Sequence, residues 1–423
     1  MFKKVFSFIL IATTAVAYEF ENQNTVSLNT NYYLKSYGGA DQIENHLFFL
    51  SENRLKITSR VDFFASPLFD VYTGSAEKKH LATADVKDFK FALTNKNISL
   101  DIGFFNVKKI GPDIIDPLGY FEPRDLTDVL NPRKMSLGGA QLEAEIFKNF
   151  IFTAVFVPQN RLSKLPRTTS MWYPRETKLP LTAADTKATL PSESLYQINN
   201  NGPEKNSDLK NNYLLQIKYS SGDLELDLQA AESISNVPKI TPTLTGTLVS
   251  VNPTEIALQN PIELDILWKK NKNYGGGLSY SFTDTGIIAR AFYNLNVTPD
   301  DETQQSVFAL EKQFQDLIVI YEYSHSKSTQ NQNTSSLVSA ATLFENTHTL
   351  AARYSLTDKL KLKFAGYLDA TSSSNLWLLN AEYHFSDDMY IEIQKTDITG
   401  LGNSLLSYYD KNDSYSLKVT SLF

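Results

Sequence analysis

Apolar and polar residues alternate along most of this chain, in blocks of about ten residues that begin near Asn24. In the first block, from Val26 to Leu34, mostly apolar side chains occupy every second position, and serine and asparagine fill most positions between them. Successive side chains on a β-strand point to opposite faces, so each block predicts a strand with one apolar and one polar face. The blocks continue to the final residues 414–423, which predicts an all-β chain.

The expected number of strands depends on how two of these blocks and one turn are interpreted. Unbroken alternation over residues 55–63 predicts a single strand, followed by a turn at Ser66 and Pro67. Residues 262–282 keep one parity and predict one long strand, with a break within residues 269–273 as the alternative. With that long strand counted once, the pattern predicts about 18 strands, within a range of 16–18.

The connections between strands favour a barrel over a soluble sandwich, which the alternation alone would also allow. Turns of two to five residues alternate with loops of roughly 6 to 50 residues, as in up-and-down barrels whose two rims differ. Aromatic residues near strand ends suit interfacial girdles; they are Tyr219, Phe282, Tyr354, Tyr383 and Phe385. The prediction is a transmembrane antiparallel up-and-down β-barrel with both termini on the periplasmic side and a water-filled interior.

The N-terminus has the features of a secretory signal peptide. Lys3 and Lys4 precede an apolar stretch at residues 6–12, and a small-residue site at residues 15–17 follows. We expect cleavage after Ala17, which makes residues 1–17 the signal peptide and residues 18–423 the mature barrel. No later stretch has the 18 or more consecutive apolar residues of a membrane helix.

Composition narrows the chemistry that this chain can carry. Removing Lys3 and Lys4 from the 40 basic residues leaves 38 against 47 acidic ones, a net charge of −9 that argues against nucleic acid as a partner. The chain has no cysteine, and its five histidines lack metal-ligand spacing, so neither metal nor cofactor is expected. His325 lies between two serines, but neighbours on one strand point to opposite faces, so we expect no enzyme.

The last strand resembles a known assembly signal. Tyr415, Leu417 and Val419 alternate and end at a terminal Phe423, as in the C-terminal signal of Gram-negative outer-membrane barrels, although Ser421 departs from it. This resemblance implies an outer-membrane location, contact with the barrel-assembly machinery, and surrounding membrane lipid and lipopolysaccharide. Within that class the chain resembles porins of 16 or 18 strands. A homotrimer is one open assembly, because its apolar interface would look like lipid-facing surface.

One stretch, residues 108–135, has no period of two. Its central part, residues 111–134, holds four prolines, five acidic and three basic residues among apolar ones, which predicts an ordered loop that packs against something. By strand count it is the third external loop, which in porins folds inward and narrows the channel. The resemblance therefore implies a constriction, with an external lid as the alternative. The candidate constriction residues are Asp113, Asp116, Glu122, Arg124, Asp125, Asp128 and Arg133.

Charged residues on the polar faces of strands are candidates for the pore wall. A mixed lining of this kind sets a field across a narrow pore and filters solutes by charge. For each residue, the alternative is a solvated side chain without a filtering role. The candidates are Lys56, Arg60, Lys90, Asp101, Glu143, Glu145, Lys218, Arg290, Arg353, Lys361 and Lys363.

A second long external loop is predicted at residues 158–210. Its first half is basic, with Trp172 and Tyr173 among the bases Arg161, Lys164, Arg167, Arg175 and Lys178. Contact of these lysines and arginines with lipopolysaccharide phosphate is a candidate role. The alternative is a mobile, exposed loop.

The function that best fits these observations is passive diffusion of small hydrophilic solutes through an outer-membrane channel. Two alternatives stay open at this point. One is a substrate-specific transporter or exporter, for a polysaccharide or fatty acid for example, and the other is a surface adhesin or structural barrel without an open pore.

Overall fold

The computed structural model describes most of the chain outside its N-terminus and several loop segments. The described residues are 19–35, 42–74, 81–107, 118–119, 121–127, 129–130, 132–166, 170–172, 186–189, 196–203, 205–236, 239–243, 245–251, 254–259, 262–298, 301–330, 346–400, 406 and 409–423. The predicted signal peptide and its cleavage site lie outside these ranges.

Eighteen strands form one closed sheet. They are β1 (Glu19–Tyr33), β2 (Ile43–Thr58), β3 (Val61–Gly74), β4 (Leu81–Asn95), β5 (Ile98–Phe105), β8 (Leu137–Phe147), β9 (Phe150–Gln159), β12 (Lys210–Ser221), β13 (Leu224–Ile234), β18 (Lys270–Phe282), β19 (Ile287–Val297), β20 (Asp301–Phe314), β21 (Leu317–Gln330), β22 (Asn346–Ser355), β23 (Leu360–Asp369), β24 (Asn375–Ser386), β25 (Met389–Thr399) and β26 (Ser414–Leu422).

Each barrel strand pairs antiparallel with the barrel strands before and after it, and β1 closes the barrel against β26. In this closing pair Leu28 lies opposite Val419, and the Asn24 N–H donates to the Phe423 carbonyl at 2.8 Å. Glu19, the first described residue, and Phe423 therefore lie at the rim of the short turns. These pairings confirm the predicted fold class, an up-and-down antiparallel barrel of 18 strands.

The remaining strands lie in the connections at the opposite rim. They are β6 (Arg124–Asp125), β7 (Arg133–Lys134), β10 (Thr186–Thr189), β11 (Tyr196–Pro203), β14 (Lys239–Thr243), β15 (Gly246–Val251), β16 (Thr254–Leu258) and β17 (Ile262–Trp268), together with a 3₁₀ turn at Asn206–Leu209. Strands β10 and β16 pair in parallel, as do β11 and β17, so two loops that are distant in sequence share two small sheets. Within the described ranges, no helix is long and apolar enough to cross a membrane.

Two details of the predicted strand pattern are wrong. The expected single strand over residues 55–63 is interrupted by a turn at Ser59 and Arg60, which separates β2 from β3. The expected turn at Ser66 and Pro67 is instead an irregularity inside β3, where the register with β4 shifts. Proline has no N–H to donate to the ladder, so a local break in pairing accommodates it without ending the strand.

The predicted long strand at residues 262–282 is also divided. Its first part, β17, pairs with β11 and β14 in a loop sheet, and its second part, β18, pairs with β13 and β19 in the barrel. The division falls at Lys269, within the interval named as the alternative.

The two faces of the barrel differ as the alternation requires. Outward-facing side chains such as Leu28, Leu350 and Leu417 are apolar and exposed, whereas inward-facing ones such as Ser27, Gln229 and Thr349 are polar and buried. An apolar outer belt suits lipid, where strands must pair every backbone group by closing on themselves.

The inside of the barrel also contains a small apolar core. Its members come from inward positions of neighbouring strands and from the connection after β5, and all are buried; they are Phe105, Val107, Phe121, Leu137, Val155, Val157, Leu214 and Ala231. Phe121 belongs to the third long connection, so part of that loop packs against the inner wall.

The outer belt leads to a prediction about Leu350, which lies in the middle of β22 and is 46% exposed. Replacing it with arginine places a charge in hydrocarbon and should lower the free energy of unfolding by about 2–4 kcal/mol. Denaturant unfolding in lipid vesicles measures this. The control is Gln394→Arg on the inner face of β25, which should change stability by less than about 0.5 kcal/mol; equal losses in both variants would contradict the assigned faces.

Candidate channel constriction

The third long-rim connection joins β5 to β8 and enters the barrel at the points that the structure describes. Of the predicted constriction residues, Glu122, Arg124, Asp125 and Arg133 are described, while Asp113, Asp116 and Asp128 lie outside the described residues. The constriction role of all seven stays a prediction. The described ones can be placed individually.

Apolar contacts hold one end of this loop to the inner wall. Leu118 and Phe121 are each 4% exposed, and Phe121 belongs to the apolar core inside the barrel. Burying a phenylalanine side chain contributes about 1.5–3 kcal/mol. The Leu118 carbonyl accepts a hydrogen bond from Gln229 Nε2 at 2.9 Å. Gly275 makes this approach possible, because a Cβ at that position would lie 2.4 Å from a Leu118 methyl carbon.

Glu122 ties the loop to the end of the strand from which it leaves. Its carboxylate is almost fully buried, accepts a hydrogen bond from the Val107 N–H at 2.6 Å, and forms an ion pair with Lys134. Burial raises the pKa of the Glu122 carboxyl, although the Lys134 ammonium and the Val107 N–H act in the opposite direction. The acid that the sequence assigned to the constriction therefore anchors the loop.

Arg133 fastens the other end of the loop to β3. It donates to both oxygens of Asp70, at 3.3 and 2.6 Å, and to Asp125 Oδ2 at 3.0 Å. His46 Nε2 lies 2.7 Å from the same Asp70 carboxylate, and the guanidinium lies over the Phe48 ring at 5.3 Å. Asp70 is 1% exposed, so its charge depends on these partners.

The segment after β9 extends this set of charges. Lys164 lies 3.5 Å from Asp125 and 3.3 Å from Asp85, and Arg161 lies 2.8 Å from Asp85. Backbone hydrogen bonds from Leu126 to Lys164 and from Lys164 to Arg124 hold the two segments side by side. We call the charged groups together the constriction network; they are Asp70, Asp85, Asp125, Arg133, Arg161 and Lys164. Three carboxylates face three cations in it.

Residues 170–172, which we call the mouth segment, lie against β2 and the connection before β26. The Met171 N–H donates to Glu44 on β2 at 3.3 Å, and the Met171 carbonyl accepts from Asn412, just before β26, at 3.0 Å. Trp172 is buried and its ring lies 5.2 Å from that of Tyr409. Trp172 is therefore packed against the protein itself, while contact of this loop with lipopolysaccharide stays a prediction.

Of the five bases in the first half of this loop, Arg167, Arg175 and Lys178 lie outside the described residues, while Arg161 and Lys164 have partners inside the protein. Arg161 and Lys164 pair within the constriction network, so their charges are engaged by the carboxylates of Asp85 and Asp125. The physical reason is that these acids are largely buried and draw the nearest cations to them.

A cavity of about 330 Å³ lies between the loop and the wall formed by β25, β26, β1 and β2. The loop contributes Asp125, Thr127, Leu130 and Arg133 to its lining. The remaining lining residues are Thr25, Ser27, Asn29, Asn31, Tyr33, His46, Phe48, Tyr72, Trp172, Tyr390, Glu392, Gln394, Thr396, Ser414, Ser416, Lys418 and Thr420.

The predicted wall residues lie elsewhere on the barrel. Strand register places all of them on the inner face except Arg60, which occupies the turn between β2 and β3 and not the wall. Several pair with acids on their own or neighbouring strands: Lys56 with Glu19, Lys90 with Asp101, Lys218 with Glu225, Arg290 with Glu311, and both Lys361 and Lys363 with Glu382. None of the eleven is among the described residues that line the cavity.

Most strand residues of the cavity wall are uncharged, and the charged exceptions are Glu392 and Lys418. Its serines, threonines and asparagines occupy the polar parity of β1 and β26, which the alternation does identify. Charge was the criterion for choosing wall residues, and uncharged hydroxyl and amide side chains do not meet it.

The predicted assembly residues lie on the outer face of β26. Tyr415 and Leu417 are exposed there, opposite Tyr32 and Thr30 on β1, and Phe423 is exposed at the turn rim. Their recognition by the assembly machinery remains a prediction.

No protein-family model and no curated protein matches the sequence. Solved structures match its fold. OpdQ of Pseudomonas aeruginosa aligns with a TM-score of 0.52 at 8% identity, over 97% of this chain and 99% of that chain. OccK11 (OpdR) of the same species aligns with a TM-score of 0.51 at 9% identity, over 96% of each chain. OccK5 (OpdH), also from Pseudomonas aeruginosa, aligns with a TM-score of 0.50 at 10% identity, over 96% of this chain and 97% of that one.

These likenesses confirm the fold that the resemblance implied, that of an outer-membrane porin. The apolar outer belt of the closed barrel is lipid-facing surface, and closed barrels of this kind cross the Gram-negative outer membrane.

The constriction network leads to a double-mutant prediction. Asp70→Asn and Arg133→Gln should each destabilise the protein, because each leaves a partly buried charge without its main partner. The double variant should lose less unfolding free energy than the two single variants lose together. Denaturant unfolding should give a coupling energy of about 1–3 kcal/mol. The control pair is Glu19→Gln with Lys56→Gln, which is exposed and should show no measurable coupling. Additive losses at Asp70 and Arg133 would contradict the contact.

Proposed function

We propose that this protein is a water-filled outer-membrane channel for passive diffusion of small hydrophilic solutes, whose permeability is set by the loop between β5 and β8. An 18-stranded barrel is too wide for its own side chains to fill. The polar inner face supports an aqueous interior, and an open pathway needs no catalytic group.

The observation that carries the proposal is the span of the loop. Leu118 lies against β13 and β18, whereas Arg133 lies against β3. In the closed strand order, seven steps separate β3 from β18 out of 18 around the barrel. A loop fixed at two points so far apart extends across a large part of the lumen, which leaves the cavity beside β25, β26, β1 and β2 as the pathway.

The alternative of an external lid is less well supported. Phe121 packs in a core made of inward-facing strand residues, and Tyr72 of β3 shares a hydrogen bond of 3.1 Å with Thr127 of the loop. A lid would have its contacts among other external loops. Here the described loop residues contact the inner wall as well as the segment after β9.

The test uses the absence of cysteine from the native chain. Thr127→Cys places a single thiol in the cavity lining, and a bulky cationic thiosulfonate reagent should then lower single-channel conductance in planar bilayers by roughly half or more. The matched control is Ser207→Cys in the external 3₁₀ turn, where labelling should leave conductance unchanged.

Two results would count against the proposal in different ways. Complete labelling of Thr127→Cys, verified by mass spectrometry, without a change in conductance would show that the loop does not line the pathway. A native protein that folds into bilayers but never conducts would contradict the channel itself.

A further inference from the structure

We infer that the passage beside the loop selects uncharged, polyhydroxylated solutes of the sugar class over organic anions of the same size. The inference rests on the proposed channel function and adds a substrate class to it. Three properties of the cavity support it: hydrogen-bonding groups without charge, aromatic rings in the lining, and charges that are already paired.

Hydroxyl and amide side chains form the wall opposite the loop. Ser27, Asn29 and Asn31 on β1 lie beside Ser414 and Ser416 on β26, all on the inner face. Serine hydroxyls both donate and accept, and an asparagine amide offers two donors and an acceptor. A sugar hydroxyl also donates and accepts, so this wall can replace the water that such a solute loses on entering.

Aromatic rings form the adjoining sides of the cavity. Phe48, Tyr72 and Tyr390 line it and are half-buried, and one face of Phe48 is covered by the Arg133 guanidinium. His46 stacks on Tyr72 with ring centroids 4.1 Å apart and planes 2° apart, which fixes the orientation of that ring. Rings with an apolar face and a polar edge suit the C–H faces of a sugar, whose hydroxyls point outward from the ring.

The charges at the cavity already have partners. Arg133 is held by Asp70 and Asp125, and Lys418 lies 3.5 Å from Glu392. The constriction network as a whole sets three cations against three carboxylates. An incoming carboxylate would therefore have to displace an internal partner or lose its water without compensation, which disfavours it.

The size of the cavity agrees with a small solute. Its volume of about 330 Å³ lies at the lower end of the range of about 300–1,000 Å³ for small-molecule sites. A monosaccharide is the natural probe, and its oxidised form is an anion of nearly the same size.

Proteoliposome swelling compares the two probes directly. Vesicles containing the full-length protein are diluted into isosmolar glucose or potassium gluconate, with valinomycin present so that potassium entry does not limit the rate. We expect glucose to enter faster than gluconate by about tenfold. Equal rates, or faster gluconate, would overturn the inference.

A parallel measurement of KCl conductance in planar bilayers distinguishes a failure of the selectivity from a failure of the channel function. Conductance together with equal entry of both solutes contradicts the selectivity alone. Absence of both conductance and swelling contradicts the channel function on which the inference rests.

Ser416 provides a variant that tests the cause. It faces the cavity opposite Asn31, and lysine at this position would add a cation outside the constriction network. Ser416→Lys should reduce the preference for glucose over gluconate severalfold, whereas Ser207→Lys, which adds the same charge in the external 3₁₀ turn, should leave it near the native value. A preference that survives in Ser416→Lys, with conductance retained, would show that paired charge is not its origin.

Discussion

The rule that every backbone N–H and C=O must be paired inside lipid governs this structure more than any other constraint. Strands satisfy this rule only by closing into a barrel, and here β1 closes the barrel by pairing with β26. Once closed, the sheet has one face in lipid and one in the lumen. The alternation of side chains then decides the chemistry of both, from the apolar belt to the polar wall.

Closure of 18 strands creates an interior that the wall alone leaves wide, and the loop after β5 occupies part of it. Phe121 adds to an apolar core inside the barrel, while Arg133 and Asp125 join a balanced set of charges. The mixed composition of the loop is thus explained by its surroundings. It needs apolar groups to dock and charged groups to match the buried acids of the wall.

The period of two made the strands predictable, and two of its failures share a cause. The turn at Ser59 and Arg60 has two residues, so alternation passes through it unchanged and gives no signal. The division at Lys269 is hidden in the same way. For the site, the loop residues could be read from the sequence, but their partners Asp70 and His46 could not. In the sequence, each occupies an ordinary polar position of a strand. Only the folded structure places them beside the loop.

The mouth segment has a consequence for the mechanics of the barrel. The pairing of β1 with β26 is the seam where the first and last strands meet. Met171 holds Glu44 on one side of this seam and Asn412 on the other. A segment that follows β9 in the chain thus bridges the seam, so this junction is fastened by residues that belong to neither edge.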